Sequence, residues 1–495
     1  MADFLRFASP NERRTISRED VGYYNALLIG AVYDLCDVDI AEAKSFITPL
    51  EACIAKYPFL SVIVKDKDTE KPYYEAVSSL NLEDHISIVS NVIDIQGDNE
   101  KLQKAIPPIL DRPWPAELPP WRIVVVPLAS QPKSKLSRCF IAFAFSHSLG
   151  DGMVGHAFHR TFLDAWHRTS LPTKTPSFLV SPPSGLTIPP PFDTPSRLPI
   201  SWSFLLSPLL NVYLPKYVGN MLGLRVGAST VDAGTWTGAP IFFDPLACSN
   251  GTNSRIRLLE IPAPLVENAL QVSRNHETKL TGTIHQFIVR ALRKALPSST
   301  SENEITNLVS GTAVDMRASI GTPGYTWGMF VSGHYEVHQL PEPLSVSSEE
   351  PTSPLSEQNW ISAQIITKGL SDCASRLHDQ AIGLLRYAPS IRNWTLGKIG
   401  TRRDCSYEVS NLLAFDGTSS GNATNEDKAK ISKMVFVQPG NPLSAPLVFN
   451  VISVKGGSLV CAVSWQAGAL GVALDEEAFV EGVCESMRGD FENLV

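Results

Sequence analysis

Between Leu171 and Ile200, nine of the chain's 37 prolines fall within 30 residues, three of them consecutive at Pro189, Pro190 and Pro191. Proline lacks the backbone donor that helices and central strands need, so no regular packed element is expected through this stretch. It reads as a linker or extended crossover with a body on each side. At roughly 100–200 residues per domain, a chain of 495 residues leaves each body enough length for its own core, without disulfides or a structural metal. We expect an N-terminal lobe over 1–170, a crossover over 171–255 and a C-terminal lobe over 256–495.

Both bodies mix helical and strand periodicity, and no internal repeat is visible. In Ala41–Lys56 the apolar residues Phe46, Ile47, Leu50, Cys53 and Ile54 follow a helical spacing, and Tyr57-Pro58 stops that helix. Phe59–Val64, Trp121–Val126 and Arg138–Ser146 read as strands, the last as a buried central one. Beyond the crossover, Ile256–Ile261 reads as a strand, and Thr281–Leu296 as a helix with Ile284, Phe287, Ile288, Ala291 and Leu292 on one face. Val448–Val454 and Leu459–Trp465 flank Lys455-Gly456-Gly457-Ser458 as a hairpin, and Asp475–Met487 closes as a helix. Leu340–Glu357 and Gly417–Lys430 read as exposed loops. The expected class is α/β.

Charge and cysteine usage exclude several functions. The 42 basic and 50 acidic residues give a net charge of -8 with no block of one sign, which argues against nucleic acid or anionic lipid as a partner. Eight cysteines are spread singly, with no C-x-x-C pair. The start Met1-Ala2-Asp3-Phe4-Leu5-Arg6 lacks the pattern of a signal peptide, so free thiols in a cytoplasmic protein are expected. The longest apolar stretch, Phe204–Leu214, is too short to span a bilayer.

One segment carries chemistry. In Phe143-Ala144-Phe145-Ser146-His147-Ser148-Leu149-Gly150-Asp151-Gly152 an apolar strand delivers a histidine, a glycine-bracketed turn follows, and a helix begins near Met153. Val154, Phe158 and Phe162 share one face of that helix, which packs it on the sheet. His147 thus stands at a strand end, where a neutral imidazole can take a proton from a hydroxyl or an amine. Asp151 either contacts the histidine region or turns away to pair with an arginine and fix the loop between Gly150 and Gly152. His156 and His159 have no zinc-binding spacing and are expected to face solvent or to be hydrogen-bonded, with no metal bound. Ser332-Gly333-His334 is not a G-x-S-x-G elbow, and no Walker A or G-x-G-x-x-G turn is present.

His147-Ser148-Leu149-Gly150-Asp151-Gly152 resembles the H-x-x-x-D-G motif of the CoA-dependent acyltransferase superfamily. That superfamily includes chloramphenicol acetyltransferase, plant BAHD acyltransferases, fungal alcohol acetyltransferases and peptide-synthetase condensation domains. Further segments agree in order. Arg18–Tyr33 resembles the first helix of the fungal alcohol acetyltransferases, Tyr57-Pro58-Phe59-Leu60 their helix-ending h-P-x-L, and Pro120-Trp121-Arg122 their p-W-R strand. Val314-Asp315-Met316-Arg317 with Gly324–Gly328, and Ser410-Asn411 with the terminal hairpin, resemble segments of the second lobe. Ser146 stands where peptide-forming condensation domains have a second histidine, and the D-F-G-W-G motif of BAHD enzymes is absent. The first departure favours a stand-alone transferase over a peptide-synthetase part, and the second an enzyme similar to the fungal alcohol acetyltransferases over a BAHD one.

The resemblance implies two chloramphenicol-acetyltransferase-like lobes with a tunnel between them. It implies direct transfer of an acetyl or short acyl group from acyl-CoA, with acetyl-CoA as co-substrate and no bound cofactor, to a hydroxyl of a small apolar alcohol of secondary metabolism. His147 would be the base, and Asp151 would hold the loop, with Arg317 its candidate partner and Asp315 a competitor for that arginine. Ser332, Ser410 and Asn411 are candidates for the oxyanion donor, and Trp236 for the acceptor cavity, each also readable as a structural residue. A monomer is expected. An amide-forming transferase, a non-catalytic binding relative and a hydrolase remain alternatives.

Overall fold

The structure, a computed structural model, describes residues 3–89, 97–129, 136–168, 177–206, 231–243, 253–297, 304–340, 353–417, 429–440 and 443–495. The chain runs β1 (Asp3–Phe7), α1 (Pro10–Asp20), β2 (Leu27–Cys36), α2 (Ile47–Lys56), β3 (Val62–Lys65), β4 (Tyr73–Ala76), β5 (Leu80–Asn81), β6 (Ile86–Ile88), α3 (Asp98–Asp111), β7 (Trp121–Pro127), β8 (Leu136–Phe145), α4 (Met153–Arg168) and β9 (Leu179–Val180). It continues with β10 (Ser254–Ile261), α5 (Ala263–Asn275), α6 (Leu280–Ala295), β11 (Asn307–Asp315), β12 (Val331–Gln339), α7 (Glu357–Ser375) and α8 (Ile391–Gly397). The last elements are β13 (Tyr407–Phe415), β14 (Ala429–Val437), β15 (Leu447–Val454), β16 (Leu459–Gln466) and α9 (Glu476–Glu492).

Two mixed sheets organise the mixed α/β architecture that the sequence implies. The first has the order β14-β2-β8-β7-β6 and the second β10-β16-β15-β13-β11-β12. Chain order and sheet order diverge at β14, which returns from the C-terminal part of the chain to pair antiparallel with β2. The hairpin expected from the glycine-rich turn at 455–458 is present as β15 and β16.

Strand β8 shows why the first sheet folds as it does. Its odd residues Cys139, Ile141, Phe143 and Phe145 join the core beneath α2 and α4. Its even residues Phe140, Ala142 and Ala144 join a second core with Leu102 and Ile106 of α3, Ile256 of β10 and Val460 of β16. A strand covered on both faces must be apolar where it is covered, as β8 is from Cys139 to Phe145. The second core also reaches across the seam between the two sheets. On the second sheet, Tyr407 and Val409 of β13 pack under α5, α6 and α9, so the alternation turns Glu408 and Ser410 toward the opposite face.

Three expectations differ from the observed fold. Arg18–Tyr33 is not one helix: α1 ends at Asp20, Gly22 adopts φ +82°, and Leu27 onward is the two-faced strand β2. Its aliphatic run is buried on both sides, a demand that outweighs local propensity. The strand at Phe59 begins only at Val62, because Pro58–Ser61 forms a 3-10 turn. The proline-rich segment has little regular structure over 177–206, yet it is anchored. Asp193 accepts the Asn11 N–H at 2.8 Å, Arg6 Nε donates to the Pro189 carbonyl at 3.1 Å, and Phe192 and Leu198 are buried beside Phe330. The expected loops at 340–357 and 417–430, most of the Phe204–Leu214 stretch, Cys248 and the remainder of the crossover lie mostly or wholly outside the described residues.

α4 lies close on β2 because Gly155 has no side chain: a Cβ there would meet the Ile29 Cβ at 2.4 Å, and Ile29 is fully buried. Gly155→Ala should therefore lower stability by about 1–3 kcal/mol, the usual result of overpacking. Gly482→Ala on the exposed face of α9 meets nothing within 4 Å and should raise it by about 0.5–1 kcal/mol. Urea midpoints of the two variants check the opposed signs.

Candidate active site

The turn after β8 is held by its own backbone and by α1. Ser146 N–H donates to the Pro120 carbonyl at 2.8 Å, and Leu149 N–H returns to the Ser146 carbonyl at 3.0 Å. The Ser146 hydroxyl bonds the Glu19 carboxylate of α1 and lies 2.7 Å from the Ser148 hydroxyl. His147 is thereby presented on a rigid loop. Its Nδ1 lies 2.8 Å from the Gly150 carbonyl oxygen. A carbonyl can only accept, so Nδ1 carries the proton and Nε2 the lone pair. Nε2 has no protein partner among the described residues, and the residue keeps some accessible surface.

The same loop is tied to the second sheet. The Asp151 carboxylate accepts from Arg317 Nη2 and from the Phe330 N–H, each at 2.8 Å, and from the Met153 N–H at 3.1 Å at the start of α4. Arg317 also donates through Nη1 to Asp315 at 2.8 Å and through Nε to the Thr326 carbonyl at 3.0 Å. Of the two roles open to Asp151, the geometry is the arginine pair, and Asp315 shares that arginine and does not displace Asp151. The Asp151 N–H donates to the Gly328 carbonyl and Trp327 Nε1 to the Leu149 carbonyl. Gly150 fits because a Cβ would stand 2.4 Å from Val154 and 3.2 Å from the Gly328 oxygen; a Cβ on Gly152 would meet Leu412 at 2.6 Å. Gly150, Gly152, Asp151, Asp315 and Arg317 thus form one joint between the lobes.

Electrostatically, His147 is held neutral. Burial pushes its pKa down to about 4, and the nearby positive charges of Arg14 and Arg18 reinforce the shift against the bond to Gly150. The Tyr24 ring lies 5.7 Å from the imidazole. A polar chain runs outward from it: Tyr24 OH donates to Gln438 at 2.7 Å, and Gln438 donates to Asn450 at 2.9 Å. Asn450, fully buried, donates to the Ala462 carbonyl at 3.0 Å.

The remaining candidates separate. Ser410 shares a sheet face with Glu408, whose charge acts on Tyr24 and Arg14, so it faces the seam. Asn411 instead donates to Thr281 at 3.0 Å and accepts from the Leu413 N–H, stabilising a bulge where Leu413 takes φ +63°. Ser332 donates to Gln380 at 2.5 Å and lies on the other face of β12 from Tyr335, whose ring flanks Gly311 beside Glu408. Trp236 is buried against Phe479 in the core under α5, α6 and α9. His156 and His159 are buried, not solvent-facing. His159 bonds the Tyr33 hydroxyl and the Ile29 carbonyl, each at 2.9 Å. Among the described residues no group of three or more histidines, cysteines or carboxylates is placed to hold a metal. Sequence reasoning missed Arg14, Arg18, Tyr24 and Asn450. A polar asparagine inside the apolar run Leu447–Ile452 was the signal for the last.

With this geometry established, comparison places the chain. The alcohol acetyltransferase family profile matches residues 42–483. The probable alcohol acetyltransferase crmB of Aspergillus fumigatus is 20% identical over 492 residues, covering 95% of this chain and 96% of its own. FCK4 of Fusarium pseudograminearum, also a probable alcohol acetyltransferase, is 21% identical over 462 residues, covering 90% and 86%. Among solved structures, the trichothecene 15-O-acetyltransferase TRI3 of Fusarium sporotrichioides aligns with a TM-score of 0.62 at 12% identity, over 99% of this chain and 98% of its own. The condensation domain of the Monacolin K polyketide synthase MokA aligns at 0.58 and 10% identity, over 99% and 98%. At such identities the superpositions establish the two-lobed fold alone. The profile match spans most of the sequence, and the chain therefore belongs to the alcohol acetyltransferase family, enzymes that transfer an acyl group from acyl-CoA to an alcohol.

Proposed function

We propose that this enzyme transfers an acetyl or short acyl group directly from acyl-CoA to the hydroxyl of a small secondary-metabolite alcohol, with His147 as general base. The supporting observation is the Nδ1–H bond to the Gly150 carbonyl, which fixes the tautomer and leaves the Nε2 lone pair without a protein partner. In this reading Nε2 removes the hydroxyl proton as the oxygen attacks the thioester carbonyl. The tetrahedral oxyanion needs a donor, and Ser410 is the candidate that faces the seam. The C–S bond then breaks, and the imidazolium returns the proton to the CoA sulfur. Asp151 is a positioning residue: it holds the loop through Arg317. No cysteine is needed as a nucleophile; burial raises the thiol pKa of Cys53, Cys139, Cys373, Cys405, Cys461 and Cys484.

Purified enzyme incubated with acetyl-CoA and a panel of alcohols and amines, with free thiol followed, tests the reaction; turnover of amines alone would favour amide formation. His147→Ala should lower kcat by about 10²–10⁴-fold with an unchanged melting temperature, and full turnover would sink the mechanism. The base must be neutral to act, and its pKa lies near 4. The profile of log kcat/KM should therefore stay flat as pH falls from 7.5 to 5, whereas an acid limb centred near 6.5 would contradict the assignment. Asp151→Asn removes one partner of a buried ion pair and should cost about 3–5 kcal/mol of stability, with activity falling in parallel. A rate loss with unchanged melting would instead make Asp151 a direct participant.

A further inference from the structure

Two arginines of α1 have no ion-pair partner among the described residues, in contrast with Arg6, Arg317 and Arg392. Arg317 has two carboxylates, Arg6 binds Glu12 through both terminal nitrogens, and Arg392 binds Asp20. Arg14 and Arg18, at i and i+4 on one face of α1, take part in no ion pair among the described residues. Arg14 Nε donates to the Asn11 side chain at 3.2 Å, while Arg18, only 9% exposed, leaves its Nε without any partner. Of the neighbouring acids, Glu12 serves Arg6 and Glu19 serves Lys67 and Ser146, while Glu408 acts on Arg14 from across the seam. A buried unpaired guanidinium is costly, and two at this spacing repel each other.

The end of α1 lies beside the His147 loop, and the charges of both arginines act on His147. The last turn of α1 touches Ser146, the residue before the base, through Glu19. The Tyr24 N–H bonds the Arg18 carbonyl at 3.3 Å, and its ring lies 5.7 Å from His147. Across the seam, Glu408 and Tyr335 are close enough to act on Arg14. The phosphates of CoA are not the missing anion, because the whole pantetheine arm separates them from the thioester. The charge belongs to a group that arrives at the reacting centre.

We propose that the substrate bound at His147 carries a carboxylate that seats on Arg14 and Arg18. This rests on the acyltransferase reading above and narrows its substrate class from apolar alcohols to anionic substrates. Guanidinium groups suit a carboxylate because their planar forks match its two oxygens. The carboxylate can stand on the acceptor, making it a hydroxy acid, or on the far end of the acyl group.

The test compares aliphatic and aryl hydroxy acids with their methyl esters as acceptors for acetyl-CoA, and malonyl-CoA with acetyl-CoA as donors to a neutral alcohol. In one arm the anionic member should be favoured by about 10- to 100-fold in kcat/KM, the worth of a charge-assisted hydrogen bond, and the arm that shows it identifies the carrier. Arg18→Gln should bring the ratio of kcat/KM between the anionic and the neutral member to about one, the loss appearing in the KM of the anionic member. Because it removes a buried unpaired charge, the variant should melt no lower than the wild type. Equal use of acid and ester together with equal use of the two donors, or a preference that survives Arg18→Gln, would overturn the proposal. So would a large loss of stability in Arg18→Gln. Failure of every alcohol to accept any acyl group would instead count against the acyltransferase reading itself.

Discussion

The ion pair between Asp151 and Arg317 is the interaction on which the rest of the site depends. Both side chains are 1% exposed, and taking two charges out of water is not by itself stabilising. What makes the pair tolerable is its complete satisfaction. Asp151 receives two backbone N–H groups beside the guanidinium, and Arg317 spends its remaining donors on Asp315 and on the carbonyls of Thr326 and Gly328. One end of the pair starts α4 and the other closes β11, so the loop that presents His147 is located by both sheets at once. A loosened joint would move the imidazole relative to everything the second sheet contributes, and the glycines at 150 and 152 exist in the space that this close approach leaves.

Legibility in the sequence followed how local each constraint is. The β8–turn–α4 unit could be read because its chemistry sits in consecutive residues: a run apolar on both faces, a histidine, two glycines around an aspartate, then a helical stripe. The Asp151–Arg317 pair was readable only as a candidate, since 166 residues separate its members and no spacing rule reaches that far. β2 was misread as part of a helix because Gly22 divides Arg18–Tyr33 between two elements, and burial on both faces is a tertiary fact. Trp236 and Ser332 are polar-capable or aromatic residues in plausible places, yet sheet alternation and core packing turn them away from His147. Ser410 and Asn411 are adjacent in sequence and point to different sides of one strand, a distinction that needs the register of β13 against β15.

The arginine pair on α1 and the depressed basicity of His147 are two sides of one arrangement. A free imidazole with a pKa near 4 is ready to accept a proton at neutral pH but is a weak base, below the match with operating pH that favours proton transfer. Burial is the largest cause of that shift and is fixed by the fold. The repulsion from Arg14 and Arg18 would be cancelled by the anion we propose to seat on them. A carboxylate-bearing substrate would therefore raise the basicity of His147 as it binds. On this proposal the two charges of α1 would couple substrate binding to reactivity, which an apolar acceptor has no means of doing.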